Sequence, residues 1–321
     1  MYVLELAGED DAFAAAEAEN AAEGVEPLAP GLALARTVDA SRLVGLAYTR
    51  ASSELVGRSD ASVSAARALL EASALDRSGT VAVRARDVRG TAGIDTQAAE
   101  RALGDVLTAE GLAVDLEAPE HELRALFAGE TCVLGWLVAE SRRDFGDRAP
   151  TDKPFFQPGS MEPLEARAVC NLARAGPAST VLDPLCGTGG LLVEAGLLGA
   201  RVVGLDAQAR MVQGARENLR HYLDGGWAVI QGDATRLPVG GPVEAVVADV
   251  PYGRQSAIAG RDADAVVAGV LAEARRVADR AVVVADRDRS ADARAAGWTV
   301  AAVYERPVHR SLTRFVHVLG G

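Results

Sequence analysis

The chain has 321 residues, 49% of them hydrophobic, and carries a formal net charge of −12 at neutral pH. Its length and apolar content allow two domains with a core in each, and no stretch reaches the roughly 20 uninterrupted apolar residues of a membrane span. The chain starts MYVLELAGEDD, with acidic residues where a secretory signal carries positive charge, so we expect a cytoplasmic protein without a membrane segment.

Nearly all the basic residues are arginine, and Lys153 is the only lysine in the sequence. With the excess of acidic residues and alanine, this favours an organism adapted to molar salt; a GC-rich genome is the alternative explanation. At about 1 M salt the Debye length is roughly 3 Å, so an acidic protein can still approach a polyanion. The composition therefore does not exclude RNA as a partner, but binding would depend on shape, stacking and close arginine contacts.

The cysteines predict neither a disulfide framework nor a zinc site. Cys132, Cys170 and Cys186 are odd in number and widely spaced, which fits a reducing compartment. We therefore expect no metal.

The first half of the chain predicts a small α+β unit. In chain order we expect a strand at 2–6 followed by an acidic, alanine-rich helix, a strand at 80–86 with arginines on one face, a helix from 95 to about 109, and strands at 113–116, 122–127 and 131–139. The segment 141–158 is charged and contains several prolines, as is typical of a linker, and we place a domain boundary near residue 150.

In the second half, strands and helices alternate, which predicts a parallel, doubly wound sheet. The expected helices are 163–175, 190–198 and 209–223, and the expected strands are 180–183, 201–206, 228–232, 243–249, 280–285, 298–304 and 315–319. We expect the last two strands to form an antiparallel hairpin through a loop at 305–312.

A glycine turn, DPLCGTGG, directly follows the strand 180–183. Missing side chains at such a turn let a nucleoside cofactor lie against bare backbone. A nicotinamide dinucleotide is the main rival ligand, but Leu192 stands where the third glycine of G-x-G-x-x-G is needed. Cys186 within the turn is interpreted as a small buried side chain rather than a nucleophile, because the chain has no Pro-Cys pair of the cytosine-C5 type.

Acidic residues end three successive strands of the predicted sheet. Asp183 can reach the cofactor's ammonium group or the backbone beside it. Asp206 follows by 23 residues and can accept from ribose hydroxyls, and Asp233 can accept from the adenine amine. The alternative for Asp206 and Asp233 is an ordinary turn or cap residue. The convergence of strand ends favours the cofactor interpretation.

The tetrapeptide Asp249-Val250-Pro251-Tyr252 ends the fourth strand. The lone pair of an exocyclic amine is delocalised into its ring, and acceptors aimed at the N–H bonds help to localise it for attack on a sulfonium methyl. Asp249 can offer a carboxylate and Val250 a carbonyl, while Pro251 stiffens the turn and Tyr252 can stack on an extruded base. With the glycine turn, this predicts S-adenosylmethionine-dependent methylation of an exocyclic amine.

Several segments resemble the archaeal tRNA (guanine-N2) methyltransferases that act on position 10. They are VRARDVRGTAGIDTQ, TCVLGWLVAE, KPFFQPGSMEP, DPLCGTGG, GDAT, DVPYG and HRSLTR. The resemblance implies an α/β chain with a Rossmann-like class I methyltransferase domain and a doubly wound sheet at 161–321, preceded by a smaller α+β part. That part comprises a ferredoxin-like subdomain at 1–50, an RNA-binding THUMP domain at 51–145 that holds the acceptor end of tRNA, and a linker at 146–160. Val250 departs from the second proline that amino methyltransferases often carry there.

The expected site residues fall into three groups. Asp249, Val250, Pro251 and Tyr252 are the catalytic candidates. The cofactor candidates are Pro158, Ser160, Asp183, Cys186, Gly187, Thr188, Gly189, Asp206, Ala207, Asp233, Ala234 and Asp249, and the resemblance places the 158–160 segment near the methionine part of the cofactor. The RNA-binding candidates are Arg84, Arg86, Arg142, Arg143, Arg254, His309, Arg310 and Arg314; a solvated surface role, or a structural role in the hairpin, is the alternative.

The leading prediction is an enzyme that transfers one or two methyl groups from S-adenosylmethionine to N2 of guanine 10 in tRNA. An adenine-N6 or cytosine-N4 methyltransferase acting on RNA or DNA is the alternative enzyme, and a catalytically silent RNA-binding protein is the alternative of another class. We expect a monomer whose partner is tRNA. The number of methyl groups and the need for an activating protein stay open.

Overall fold

The computed structural model describes residues 1–238, 240–252 and 263–321. The chain divides into two compact units, Met1–Arg142 and Arg143–Gly321, and the division falls at the start of the predicted linker. None of the helices in the described ranges is both long and apolar enough to cross a membrane.

The first unit is built on an eight-stranded sheet. The unit has two more strands outside that sheet. Its strands in chain order are β1 (Tyr2–Leu6), β2 (Ala22–Glu23), β3 (Glu26–Ala29), β4 (Leu32–Ala35), β5 (Thr37–Val38), β6 (Thr49–Asp60), β7 (Thr80–Asp87), β8 (Ala113–Val114), β9 (His121–Ala128) and β10 (Thr131–Glu140). Its helices are α1 (Asp11–Ala18), α2 (Ala40–Leu43), α3 (Val63–Glu71), α4 (Thr96–Ala109) and the 3₁₀ turn Val88–Gly90. The sheet order is β3-β4-β1-β6-β10-β9-β7-β8, and β2 pairs separately with β5.

The long strand β6 joins the beginning of this unit to the rest of it. It pairs antiparallel with β1 on one side and with β10 on the other. The predicted limit at residue 50 therefore falls inside a continuous sheet, and the ferredoxin-like and THUMP assignments stay predictions. Helices α3 and α4 bury Leu70 and Leu103 in one apolar cluster with Phe127 of β9.

The second unit contains a seven-stranded sheet and its helices. Its strands are β11 (Thr180–Asp183), β12 (Arg201–Asp206), β13 (Trp227–Gln231), β14 (Ala245–Asp249), β15 (Arg280–Ala285), β16 (Thr299–His309) and β17 (Leu312–Gly320). Its helices are the 3₁₀ turns Phe145–Arg148 and Pro150–Asp152, then α5 (Pro163–Leu172), α6 (Gly190–Leu197), α7 (Ala209–Tyr222), α8 (Ala263–Val277) and α9 (Ser290–Ala295).

The sheet order β13-β12-β11-β14-β15-β17-β16 confirms the predicted α/β fold. The pairs from β13 to β15 are parallel, and β17 runs antiparallel to both β15 and β16. Leu182, Val246 and Val283 of three neighbouring strands share one buried cluster with Val267 and Leu271 of α8. Because successive side chains of a strand point to opposite faces of the sheet, only one face contributes to this cluster.

The predicted hairpin loop at 305–312 is wrong in length. β16 continues to His309 and β17 begins at Leu312, so the ladder includes the pairs Arg306↔Arg314 and Pro307↔Thr313. The sequence does not predict this extension, because both faces of the hairpin near its tip are exposed to water. The residues there therefore lack the alternation of apolar and polar side chains that indicates a strand.

Candidate active site

The centre of the parallel sheet is the point at which its strand order reverses. β11 pairs with β12 on one side and with β14 on the other, and each of those neighbours leads outward to a different edge. Ligands of doubly wound sheets bind beyond the carboxyl ends of the strands at such a switch point. Asp183 ends β11 and Asp249 ends β14, so this position brings the two carboxylates to one edge of the sheet.

The glycine turn between β11 and α6 needs glycine for two physical reasons. Gly187 and Gly189 have φ angles of 49° and 79°, in the left-handed region that other residues rarely adopt. A Cβ on Gly187 would meet no atom within 4 Å, so open space lies beside its backbone. Behind the turn, a Cβ on Gly204 would come within 3.0 Å of Cys186 Sγ, so the turn packs on bare backbone of β12.

Asp206 links this turn to Gln208, the residue before α7. Its Oδ2 accepts a hydrogen bond from the Gly187 amide at 3.0 Å, and its Oδ1 accepts one from the Gln208 amide at 2.8 Å. The carboxylate therefore performs the turn function that the sequence left as the alternative. Each carboxylate oxygen keeps a further lone pair, so this role is compatible with binding a ribose hydroxyl.

The segment before α5 lies against the same turn. Ser160 Oγ donates to the Gln157 carbonyl at 2.8 Å and lies 3.2 Å from Thr188 Oγ1. Asn218 of α7, which is fully buried, donates from Nδ2 to the carbonyls of Thr188 and Phe155 at 2.8 and 2.9 Å. The amide of Phe155 returns a hydrogen bond to Asn218 Oδ1 at 2.9 Å. One asparagine thus fastens the 155–160 segment to the glycine turn.

These elements enclose a cleft of about 190 Å³. It is lined by Gln157, Pro158, Gly159, Ser160, Met161, Asp183, Leu185, Cys186, Gly187, Thr188, Gly190, Leu191, Met211 and Asp249. The cofactor candidates among them are Pro158, Ser160, Asp183, Cys186, Gly187, Thr188 and Asp249. Gly189, Asp206, Ala207, Asp233 and Ala234 are outside this lining. Met161 and Met211 supply apolar surface that the sequence analysis missed; their only signal was position, beside the PGS segment and early in α7.

Two of the outer candidates have evident local roles. Asp233 Oδ1 accepts from the amide and the hydroxyl of Thr235, at 3.0 and 2.8 Å, and so shapes its own turn. Ala234 is buried in the apolar cluster of α8.

The two carboxyl groups at the switch point, those of Asp183 and Asp249, are largely removed from water, which disfavours their ionised forms. Asp183 is 2% exposed and accepts a hydrogen bond from the Leu185 amide at 3.0 Å. Burial, with smaller contributions from the neighbouring carboxylates of Asp249 and Asp206, raises its pKa to about 8. Burial also raises the pKa of Asp249, to about 6, against the opposing effects of Tyr252 and Arg314. A cationic ligand group in this cleft would stabilise the ionised forms of both carboxyl groups.

The tetrapeptide forms a short hydrogen-bonded chain with β17. The Tyr252 hydroxyl donates a hydrogen bond to Asp249 Oδ1, and Arg314 Nε donates one to Tyr252 Oη at 3.1 Å. Val250 is buried, and its amide donates to the Val284 carbonyl at 2.9 Å, which anchors the tetrapeptide to β15. Arg314, one of the RNA-binding candidates, is therefore a buried neighbour of the catalytic candidates. Arg254 lies outside the described residues.

Two RNA-binding candidates on β7 are engaged with acidic neighbours. Arg84 donates to the Leu116 carbonyl at 2.7 Å and lies 3.8 Å from Glu122, and Arg86 pairs with Glu5 at 2.7 Å. Both side chains keep substantial exposed surface.

The other RNA-binding candidates in the described residues, Arg142, Arg143, His309 and Arg310, are exposed. Arg142 is exposed and ends the first unit. In the second unit the Arg143 guanidinium lies 5.2 Å from the centre of the Phe145 ring, and His309 and Arg310 are exposed at the tip of the β16–β17 hairpin. Their contact with RNA stays a prediction.

Neither the cysteines nor the acidic residues form a metal centre in the part of the chain that the structure describes. Cys132, Cys170 and Cys186 are buried and unbridged. Burial raises the pKa of the Cys186 thiol, so it stays protonated and is a poor nucleophile.

Comparisons with known proteins find methyltransferases. A family model described as UPF0020, an RMKL-like methyltransferase domain, matches residues 150–315. The tRNA (guanine(10)-N2)-dimethyltransferase of Methanothermobacter thermautotrophicus is 37% identical over 247 residues, which cover 74% of this chain and 72% of the relative. The enzyme of the same name from Pyrococcus abyssi is 32% identical over 248 residues, covering 75% and 74%.

A solved structure extends the likeness to both units. The crystal structure of TrmN from Thermus thermophilus aligns with a TM-score of 0.52 at 23% identity and covers 99% of each chain. At this identity the likeness shows the fold alone.

Proposed function

The chain belongs to the tRNA (guanine(10)-N2)-dimethyltransferase family, and from that premise we propose that it methylates the N2 amine of guanine 10 in tRNA. One observation carries the catalytic part of the proposal. The carboxylate that can accept an amine proton, Asp249, lines the same cleft as the glycine turn that can hold a nucleoside cofactor. A methyl donor and an amine acceptor can therefore meet at one point, the carboxyl end of β14.

The residues of the cleft fit S-adenosylmethionine, which supplies an electrophilic methyl group when bound. Gly187 leaves open space beside its backbone, so a ligand can lie flat against the turn. Asp183 presents a buried carboxylate to the cationic end of the cofactor, and that cation favours the ionised form. Met161 and Met211 offer apolar contact, and Asp206 can use its remaining lone pairs to accept from ribose hydroxyls.

Asp249 performs the proton chemistry in this proposal. Tyr252 occupies Oδ1 of the carboxylate, so Oδ2 is the oxygen that accepts an N–H bond of the guanine amine. The backbone carbonyl of Val250 is the second acceptor. Together they favour a lone pair localised on nitrogen, and the carboxylate takes up the proton that the amine loses as its new bond to carbon forms.

Arg314 and Tyr252 position this carboxylate. Arg314 Nε holds the Tyr252 hydroxyl, which in turn holds Asp249, so the hydrogen-bonded chain fixes the carboxylate direction. The Tyr252 ring is partly exposed and offers a face on which the extruded base can stack, a contact of about 1–3 kcal/mol.

Labelled methyl transfer tests the proposal. Unmodified tRNA transcripts with guanine or adenine at position 10 are incubated with the enzyme and labelled S-adenosylmethionine in molar KCl, and the nucleosides are then analysed. We expect N2-methylguanosine or N2,N2-dimethylguanosine from the guanine transcript only, and near-complete loss with Asp249→Asn. Asp279→Asn, whose side chain is 91% exposed, is the matched control and should retain wild-type activity.

Other outcomes would overturn parts of the proposal. Label in N6-methyladenosine or N4-methylcytosine would keep the enzyme class and reject the base. Cofactor binding without transfer to any tRNA would favour the silent RNA-binding protein.

We further propose a cytoplasmic monomer whose residues 51–145 form a THUMP domain and bind the acceptor end of tRNA. The arginines of β7 support this, because both keep exposed surface beside their acidic partners. Photo-crosslinking of tRNA labelled in the acceptor stem should map to this range, and light scattering should give the mass of one chain. Crosslinks confined to the second unit would contradict the domain assignment.

A further inference from the structure

Lys153, the only lysine in the chain, is buried against the first turn of α6. Its side chain is 7% exposed, and Nζ lies 3.4 Å from the position that a Cβ on Gly190 would take. Within the described residues, the ammonium group makes neither a hydrogen bond nor an ion pair. A charged side chain that is largely removed from water and lacks a contacting partner costs free energy, so this position calls for an explanation.

The carboxylate nearest to Lys153 along α6 is already occupied. Glu194 is 1% exposed, and it accepts from Arg148 Nε at 2.9 Å and pairs with Arg167 Nη2 at 2.7 Å. Burial lowers the pKa of Lys153, while Glu194 and the exposed Glu162 oppose that effect and Arg148 adds to it. Glu194 and Glu162 therefore attract the Lys153 ammonium from a distance, but neither forms an ion pair with it.

Lys153 is fixed next to the cofactor cleft. Two residues later, the Phe155 ring lies on the bare backbone of α7 at Gly214, where a Cβ would come within 2.0 Å of the ring. The Phe155 backbone is bonded to Asn218, which also binds the Thr188 carbonyl of the glycine turn. Gly190, which lies beside the ammonium, lines the cleft. The N-terminus of α6 adds unpaired amides and the positive end of the helix dipole at this place.

We propose that Lys153, with the first amides of α6, binds the carboxylate of the amino-acid end of S-adenosylmethionine. This inference rests on the proposed function for the identity of the ligand. A zwitterionic amino acid needs one anionic and one cationic partner. The buried Asp183 carboxylate lines the cleft, and the Lys153 ammonium lies beside Gly190, which lines it too. The chain uses arginine at its other strongly basic positions. A compact point charge fits against Gly190 where a planar guanidinium would need more room.

Ligand binding to Lys153→Met tests this assignment. Calorimetry compares S-adenosylmethionine with its decarboxylated analogue, which lacks only the carboxylate. Since hydrogen bonds to charged groups contribute about 1.5–3 kcal/mol, we expect the variant to bind S-adenosylmethionine about 10- to 100-fold more weakly and the analogue with unchanged affinity. Lys153→Arg keeps the charge and changes the shape, so it should recover part of the lost affinity.

Each outcome has a distinct meaning. Equal weakening for both ligands would overturn the carboxylate contact and assign Lys153 a structural role. Failure of the wild-type chain to bind either ligand would reject the proposed function itself. Thermal unfolding without ligand checks the fold, and Lys153→Met should be at least as stable as the wild type, because it removes an unpaired buried charge.

The single lysine also allows a measurement that does not depend on activity. Acetic anhydride can modify Lys153 and the chain's amino terminus, and mass spectrometry quantifies each site. Bound S-adenosylhomocysteine, which keeps the amino-acid carboxylate, should protect Lys153 several-fold and leave the terminal amine unprotected. The decarboxylated analogue, at equal occupancy, should protect it less. Equal labelling of Lys153 with and without S-adenosylhomocysteine would overturn the contact.

Discussion

The proposed role of Asp249 makes the methyl-transfer rate depend on pH in a direction that the structure fixes. Burial raises the pKa of this carboxyl to about 6, and only its ionised form can accept an amine proton. With that pKa, about nine-tenths of the groups are ionised at pH 7 and about one-tenth at pH 5. The single-turnover rate should therefore fall roughly tenfold between these values and level off above about pH 7.

The assay is rapid-quench methyl transfer with S-adenosylmethionine and tRNA both saturating, so that the pH dependence of binding does not contribute. The sulfonium cation of the bound cofactor lowers the pKa of Asp249, so the tenfold fall is an upper limit. Asp249→Asn should lower the rate by about 10²- to 10³-fold, as removal of one positioned charge-stabilising group does elsewhere, and should abolish the fall below pH 7. The hydrogen bond from Tyr252 lowers the pKa of Asp249, so Tyr252→Phe should move the midpoint upward.

Two results would refute this reasoning. One is a wild-type rate that stays constant between pH 5 and pH 7, and the other is an Asp249→Asn variant that retains the wild-type pH profile. The exposed control Asp279→Asn should follow the wild type throughout.

Three further changes test the surroundings of the cleft. Burial raises the pKa of Asp183 to about 8, so the folded protein binds a proton that the unfolded chain releases, and stability to urea without ligand should fall as pH rises from about 4 to 8; Asp183→Asn should flatten this profile. Glu194→Ala removes the buried carboxylate that Arg148 and Arg167 share, which should cost about 3–5 kcal/mol and lower Tm by roughly 6–20 °C, in dilute and in molar KCl alike; a loss that vanishes in high salt would contradict burial of these ion pairs. Asn218→Leu removes three hydrogen bonds that tie the 155–160 segment to the glycine turn, so calorimetry should show at least tenfold weaker cofactor binding, and unchanged affinity would contradict that role.

The second unit was predicted well where its strands are buried on both faces. Such strands are continuous apolar runs, as at 180–183 and 280–285, and glycine or aspartate marks their ends. Helix α8 was missed because its run AVVAGVL is β-branched and apolar, a pattern that fits a buried strand as well as a helix. Helix α9 has only six residues, too few to establish a period.

The first unit was harder to predict because its central strand lacks the usual signal. The strand β6 has the sequence TRASSELVGRSD, in which polar residues dominate, and neighbours on both sides hold it in the sheet. Pairing between strands far apart in the chain decided its conformation. A single sequence contains no direct record of such pairing.

The site shows the same division between local and long-range information. Asp183 and Asp249 were predictable as neighbours because both end parallel strands, and parallel strands present their carboxyl ends at one edge. The contact from Arg314 was not predictable, because it depends on the antiparallel register of β17. That register pairs Phe315 with Ala285 at the end of β15, so Arg314 comes one residue beyond it, at the edge where β14 also ends.

Several arginines predicted to bind RNA already have partners within the protein. Arg314 is committed to Tyr252, and on β7 Arg86 pairs with Glu5 while Arg84 lies near Glu122. Phosphate binding by the β7 arginines must compete with these carboxylates, which reduces the gain from each contact. Molar salt weakens the competing pairs and the phosphate contacts together, because both are charge interactions near the surface. Stacking and shape are less sensitive to salt, so in this acidic chain they are the contacts on which selection of the tRNA should chiefly depend.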